Sequence, residues 1–153
     1  MSITCIIKKC EESWEEEFVV GIKNKNNCSG FIKTVAQKLG ILLPPMQADG
    51  LVDSIEKSWT KIGTGSEAAK KATEGFFVIA GLKSGQHSKK VSQGHVVIII
   101  NGPMYRAKYP KCWGGSTGSA QSKGDKSVGE VWNTVDRDNV AYYMYKQPVC
   151  INE

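Results

Sequence analysis

The hydrophobic period of the chain changes near residue 75, and that change constrains the fold more than any other feature. Before it, apolar residues recur at helical spacing. Ile3, Ile6, Ile7, Cys10, Trp14 and Phe18 trace one face, with Glu11, Glu12, Glu15, Glu16 and Glu17 mainly elsewhere, so residues 3–18 read as an amphipathic helix. A polar loop over 21–27 leads to a second helix, in which Phe31, Ile32, Val35, Ala36 and Leu39 share a face and Gly40 is the stop. Leu43-Pro44-Pro45 breaks that pattern, and Asp49 is placed to cap a third helix carrying Leu51, Ile55, Trp59 and Ile62 on one side. A short Ala-rich helix over 66–74 completes the first half. Beyond it, Phe76 to Ala80 and Val96 to Ile100 are apolar runs of strand length bracketed by glycines, with 105–109 and 140–145 as further strand candidates. Helices first and strands after, with short connections, predict an α+β fold: N-terminal helices packed on an antiparallel sheet. A chain of 153 residues is expected to form one domain, 1–153.

Charge and cysteine usage narrow the function classes. The net charge of +5 comes from scattered lysines, where a nucleic-acid footprint would be more clustered; an acidic substrate or an anionic polymer fits this balance as well as a nucleic acid does, and charge alone does not choose. No basic segment followed by an apolar run opens the sequence, and no apolar run approaches membrane-span length, so neither a signal peptide nor membrane insertion is expected. The five cysteines, at 5, 10, 28, 112 and 150, form no C-x-x-C pair and are joined by only two histidines, which argues against a metal site. No cofactor is expected. An odd count leaves at least one thiol free. Cys5 and Cys150 lie near the two chain ends, which often meet in a compact domain; a bridge there would close nearly the whole chain as one loop, and would matter only in an oxidising compartment.

The candidate chemistry starts at Cys28, which falls in the first turn of the second helix. Unpaired backbone N–H groups and the positive end of the helix dipole favour a thiolate there. A thiol nucleophile needs a base that takes its proton and later protonates the leaving amine. His95 opens a buried strand directly after Gly94 and is the better candidate; His87 sits in the polar stretch Ser84 to Lys90 and reads as a solvated loop histidine. Cys10 lies on an apolar helix face and reads as structural, whereas Cys112, in Tyr109-Pro110-Lys111-Cys112-Trp113, is compatible with core or with site. The Gly- and Ser-rich stretch 114–126 reads as a long loop of the kind that borders sites. Two other readings compete with hydrolysis. A non-enzymatic module could bind an anionic polymer or nucleic acid through its lysines and through Tyr105, Tyr109 and Trp113, and an acyltransferase could use the same cysteine and histidine.

Asn27-Cys28-Ser29-Gly30-Phe31 opening a helix, followed by Gly94-His95-Val96 opening a strand, resembles the NlpC/P60 family of papain-like cysteine peptidases. The likeness is closer, and spans nearly the whole length, for the first family of type VI secretion amidase effectors. It runs through Ser58-Trp59-Thr60-Lys61, Val78 to Lys83, Lys108-Tyr109-Pro110, Lys126 to Gly129, Trp132-Asn133 and Asp136-Arg137-Asp138. That resemblance implies a papain-like fold and an antibacterial toxin, exported by type VI secretion, that acts in the periplasm of rival bacteria on the γ-D-glutamyl–meso-diaminopimelate bond of peptidoglycan stem peptides. Cys28 is then the nucleophile, its backbone N–H an oxyanion donor, and His95 the base. Cys112 corresponds to a thiol near the site, with a backbone carbonyl as the other candidate to orient His95, and Cys5 and Cys150 match positions that can form a disulfide. The implied partners are the stem peptide, a cognate immunity protein and a component of the secretion tube, with the toxin itself a monomer. Stem peptides carry free carboxylates, and the charge balance leads one to expect a mildly basic cleft. The stretch Ser84 to Gln93 looks longer than in relatives.

Overall fold

A computed structural model describes residues 3–150, without the side chains of residues 3 and 4, so Met1, Ser2 and the Ile3 side chain lie outside the described residues. In chain order the elements are α1 (Ile3–Ser13), β1 (Glu17–Val19), β2 (Ile22–Lys23), α2 (Cys28–Lys38), α3 (Ala48–Ser58), β3 (Thr60–Ile62), α4 (Gly65–Thr73), β4 (Val78–Leu82), β5 (His95–Ile99), β6 (Lys111–Gly114), β7 (Ser122–Ser127), α5 (Val128–Val131) and β8 (Ala141–Met144). Six strands form one sheet in the order β3-β8-β4-β5-β6-β7, and every neighbouring pair is antiparallel. The architecture is α+β, as the change of period predicts.

Both faces of this sheet are covered, which explains why β4 and β5 are apolar at nearly every position rather than alternating. On one face Ile79, Val96 and Ile98 pack with Phe31, Ile32, Val35, Leu51 and Ile55 of α2 and α3. On the other, Val78, Ala80, Val97 and Ile99 pack with Ala68 and Ala72 of α4 and with Val128 and Trp132. β5 is therefore a central, doubly buried strand, and its first residue is His95. Cys5 and Cys150 are joined as a disulfide, with Cα atoms 5.8 Å apart, closing a loop of 145 positions. Among the described residues no helix is long and apolar enough to cross a membrane.

Several local expectations are corrected. α1 ends at Ser13, where the Ser13 hydroxyl turns back onto the Lys9 carbonyl at 2.7 Å, and the chain then forms a hairpin of β1 and β2 that turns at Gly21 (φ 86°). Trp14 stays in the core, but Phe18 is 43% exposed, so helical spacing across residues 3–18 joined two different elements. The third helix likewise stops before Trp59, whose extended backbone leads into β3; Ile62 reaches the opposite core, while the Trp59 ring packs edge-on against Phe77 and Tyr145. Asp49 lies in the first turn of α3 and makes no cap; its carboxylate bonds to Ser84 instead. Residues 105–109 form a tight turn, with φ of 53° at Arg106 and 55° at Ala107, closed by a Tyr105–Tyr109 bridge. The stretch 114–126 is only partly loop, because β7 starts at Ser122.

Candidate functional site

Asn27 sets the start of α2. Its side-chain oxygen accepts the Gly30 backbone N–H at 3.0 Å, an N-cap worth about 1 kcal/mol. Gly30 is required for that approach, because a Cβ there would lie 2.5 Å from Asn27 Nδ2. The preceding turn is anchored by Asn24, fully buried, which donates to the Ser13 carbonyl at 3.0 Å and to Thr34 Oγ1 at 2.9 Å. These contacts leave Cys28 as the first helical residue, with the backbone N–H groups of Val96, Ser29 and Cys28 itself near enough to favour its thiolate form.

Cys28 and His95 line one cleft of about 690 Å³. Its floor holds Asn26, Asn27 and Ser29; one wall is Val91 to Gly94; another is Ser116, Thr117 and Ala120; and Val19, Ile22, Gln47 and Ala48 close the remaining side. The segment after β6 reaches the cleft because Gly115 passes against the Asn24 carbonyl, where any Cβ would collide, and because Ser116 N–H bonds the Lys25 carbonyl at 2.9 Å. Gln121 adds a bridge to Asn26 at 2.9 Å. The lining contains no Lys, Arg, Asp or Glu, which corrects the expectation of a mildly basic cleft. Lys33 is the cation whose charge reaches Cys28; its ammonium bonds the Met46 carbonyl at 2.8 Å and lies 4.7 Å over the Phe18 ring.

The electrostatics favour a neutral resting pair. Burial pushes the Cys28 thiol up, and the surrounding N–H groups and Lys33 only partly offset that, so the helix start does not by itself produce a thiolate. Burial lowers His95 to about 4, with a further push from His87, against a small opposing contribution from the Ala120 carbonyl as hydrogen-bond acceptor. The His95 ring packs edge-on against Trp132 with centroids 5.2 Å apart, and its Nε2 is buried without a partner. Among the described residues no hydrogen bond joins His95 to Cys28; what links them is the cleft and the Val96 N–H, the next residue along β5.

Cys112 stands apart from this cleft. It pairs with Ile99 at the far end of β5, is fully buried in the opposite core, and bonds the Lys126 carbonyl at 3.6 Å. Burial pushes its thiol up to about 12. The group beside His95 is the Ala120 backbone carbonyl, which no side-chain pattern could have announced. Cys10 is fully buried, in keeping with a structural role. His87 is half-buried rather than solvated: its Nδ1 lies 2.9 Å from the Lys83 carbonyl, and it does not line the cleft. Tyr109 and Trp113 are each 5% exposed, Trp113 within an aromatic cluster with Trp14 and Phe31, so of the three rings of the polymer-binding reading two are buried and Tyr105 alone is half-buried at the surface.

Fold and site together define an α+β protein with a thiol and an imidazole facing one uncharged cleft. No protein-family model matches the chain. It is 49% identical over 148 residues to the peptidoglycan amidase Tse1 of Pseudomonas aeruginosa (strain PAO1), a match covering 95% of this chain and 92% of Tse1. The chain belongs to the family of type VI secretion peptidoglycan amidase effectors.

Proposed function

We propose that residues 1–153 form one amidase domain of papain-like NlpC/P60 fold that hydrolyses the γ-D-glutamyl–meso-diaminopimelate amide of peptidoglycan stem peptides. The observation that carries this reading is the shared cleft: Cys28 at the start of α2 and His95 at the start of β5 face the same space. The relative that is a peptidoglycan amidase supplies the substrate class.

His95, neutral at physiological pH, takes the Cys28 proton as the substrate carbonyl settles against the helix start. The sulfur attacks that carbonyl, and the oxyanion is held at the first turn by the Cys28 N–H, since Asn27 takes the Gly30 N–H with its side chain and the Phe31 N–H with its carbonyl. His95 then protonates the leaving amine, and water, deprotonated by the same ring, hydrolyses the thioester. The Ala120 carbonyl orients the imidazole, the place that Cys112 does not fill. Export through a type VI secretion tube, action in a rival's periplasm as a monomer and neutralisation by an immunity protein complete the proposal. Digestion of purified sacculi followed by mass spectrometry tests it. New D-glutamate and diaminopimelate termini support the assignment; fragments cut at another bond, or transferred to an added amine in place of water, refute it.

A further inference from the structure

The connection between β4 and β5 is tied down at both ends by one carboxylate. Asp49 Oδ1 accepts the Ser84 backbone N–H at 2.8 Å, and Oδ2 accepts the Ser84 hydroxyl. The same carboxylate lies against Gly94, whose backbone N–H helps to hold it below the ordinary carboxylate range. Close approach depends on Gly94 lacking a side chain, since a Cβ there would collide with Asp49 Oδ1 and lie 2.7 Å from the Leu82 carbonyl oxygen. Leu82 is the register partner of His95, so Asp49 closes the loop at the point where the imidazole leaves the sheet. Further along, Asp136, 2% exposed, accepts the Ser88 N–H at 2.7 Å, and the Lys83 ammonium reaches Asp53 at 2.8 Å. Between these anchors Val91, Ser92 and Gln93 form a wall of the cleft.

We propose that Asp49 is a positioning residue of the amidase site: by holding Ser84 and Gly94 together it fixes where β5 begins, and with it the His95 ring and the Val91–Gln93 wall. This rests on the Cys28 and His95 reading above. Asp49 does not line the cleft, so it acts through the backbone and not on substrate. What matters is its geometry rather than its charge. An asparagine keeps an oxygen for the two N–H groups and turns its amide nitrogen to the Ser84 hydroxyl oxygen, whereas alanine loses every one of these bonds.

The test compares the full-length wild type with Asp49→Ala and Asp49→Asn on soluble muropeptides released from sacculi by a muramidase. Asp49→Ala is expected to lower kcat by about 10- to 100-fold, the penalty typical of a misplaced catalytic group, with a smaller rise in KM from the displaced Val91–Gln93 wall; Asp49→Asn restores kcat to within a few fold. The His95 ring resonance, readily assigned in a chain with two histidines, shifts in the alanine variant and not in the asparagine variant. Unchanged kcat in Asp49→Ala, a rise in KM alone, or an asparagine variant as impaired as the alanine one overturns the proposal. If the wild type itself fails to cut muropeptides, the amidase reading fails, while an unmoved His95 resonance in Asp49→Ala separately overturns the positioning role. Should Asp49→Ala not fold by circular dichroism, Ser84→Ala takes its place; it removes only the hydroxyl bond, and wild-type kcat together with an unmoved His95 resonance would then overturn the proposal.

Discussion

Replacing His95 by Gln should flatten the acid limb of the stability curve. His95 is half-buried with its Nε2 enclosed, and that burial lowers its folded pKa from 6.5 to about 4, so the folded state resists taking a proton that the unfolded chain accepts. Well above pH 6.5 the ring is neutral in both states and contributes nothing to the pH dependence. As pH falls through 6.5 the unfolded chain protonates first and stability drops, until the folded ring also protonates near 4 and the loss levels off. At about 1.4 kcal/mol per pH unit, the window is worth about 3 kcal/mol. Asp49 and Asp136, held below the ordinary carboxylate range by their Ser84 and Ser88 bonds despite burial, add losses at more acidic pH, but equally in both proteins. Urea denaturation of wild type and His95→Gln at a series of pH values isolates the histidine contribution. The wild type should lose about 3 kcal/mol more than the variant between neutral pH and about pH 4. Parallel curves would refute the buried, neutral imidazole and the general-base role built on it.

Reduction of the Cys5–Cys150 disulfide, which closes a loop of 145 positions, should lower stability by up to about 5 kcal/mol; denaturant midpoints with and without reductant measure it, and coincident curves would refute the contribution. Asn27→Ala should cost about 1 kcal/mol through the lost cap and should slow Cys28 alkylation by disturbing the helix start, both readable by melting and by iodoacetamide trapping. Cys112→Ala should lower stability by about 1 kcal/mol while retaining muropeptide turnover, because the thiol lies in the opposite core; loss of turnover in a folded variant would place it back in the site. Gly115→Ala should displace the 115–121 segment from the Asn24 carbonyl and sharply reduce turnover, and an unaffected variant would show that this wall is dispensable.

The start of α2 was legible because each signal there is local: Asn27 caps it, Cys28 and Gly30 follow, and Phe31, Val35 and Leu39 repeat at one spacing. β5 was equally plain, since a run apolar at nearly every position with His95 in front admits few other readings. The β1–β2 hairpin was hidden because Trp14 and Phe18 happen to continue the period of α1, although Glu17-Phe18-Val19-Val20 before Gly21 carries the β-branched content of a strand. Asp49 read as a helix cap, a local role, while its partners lie far off in sequence at Ser84 and Gly94. The Ala120 carbonyl had no signature at all, because every residue carries one. Long-range backbone contacts of this kind build the cleft walls, and only the folded sheet brings them together.

The central claim is that Cys28 attacks the stem-peptide amide. Its most direct test is the digestion of sacculi by Cys28→Ala, with circular dichroism to establish that the variant is folded. The cleft is predicted to survive this change, since the Asn27 cap and the start of β5 at His95 do not depend on the sulfur, and the release of cleaved stem peptides to fall to background. Wild-type levels of cleavage by a folded Cys28→Ala protein would contradict the account.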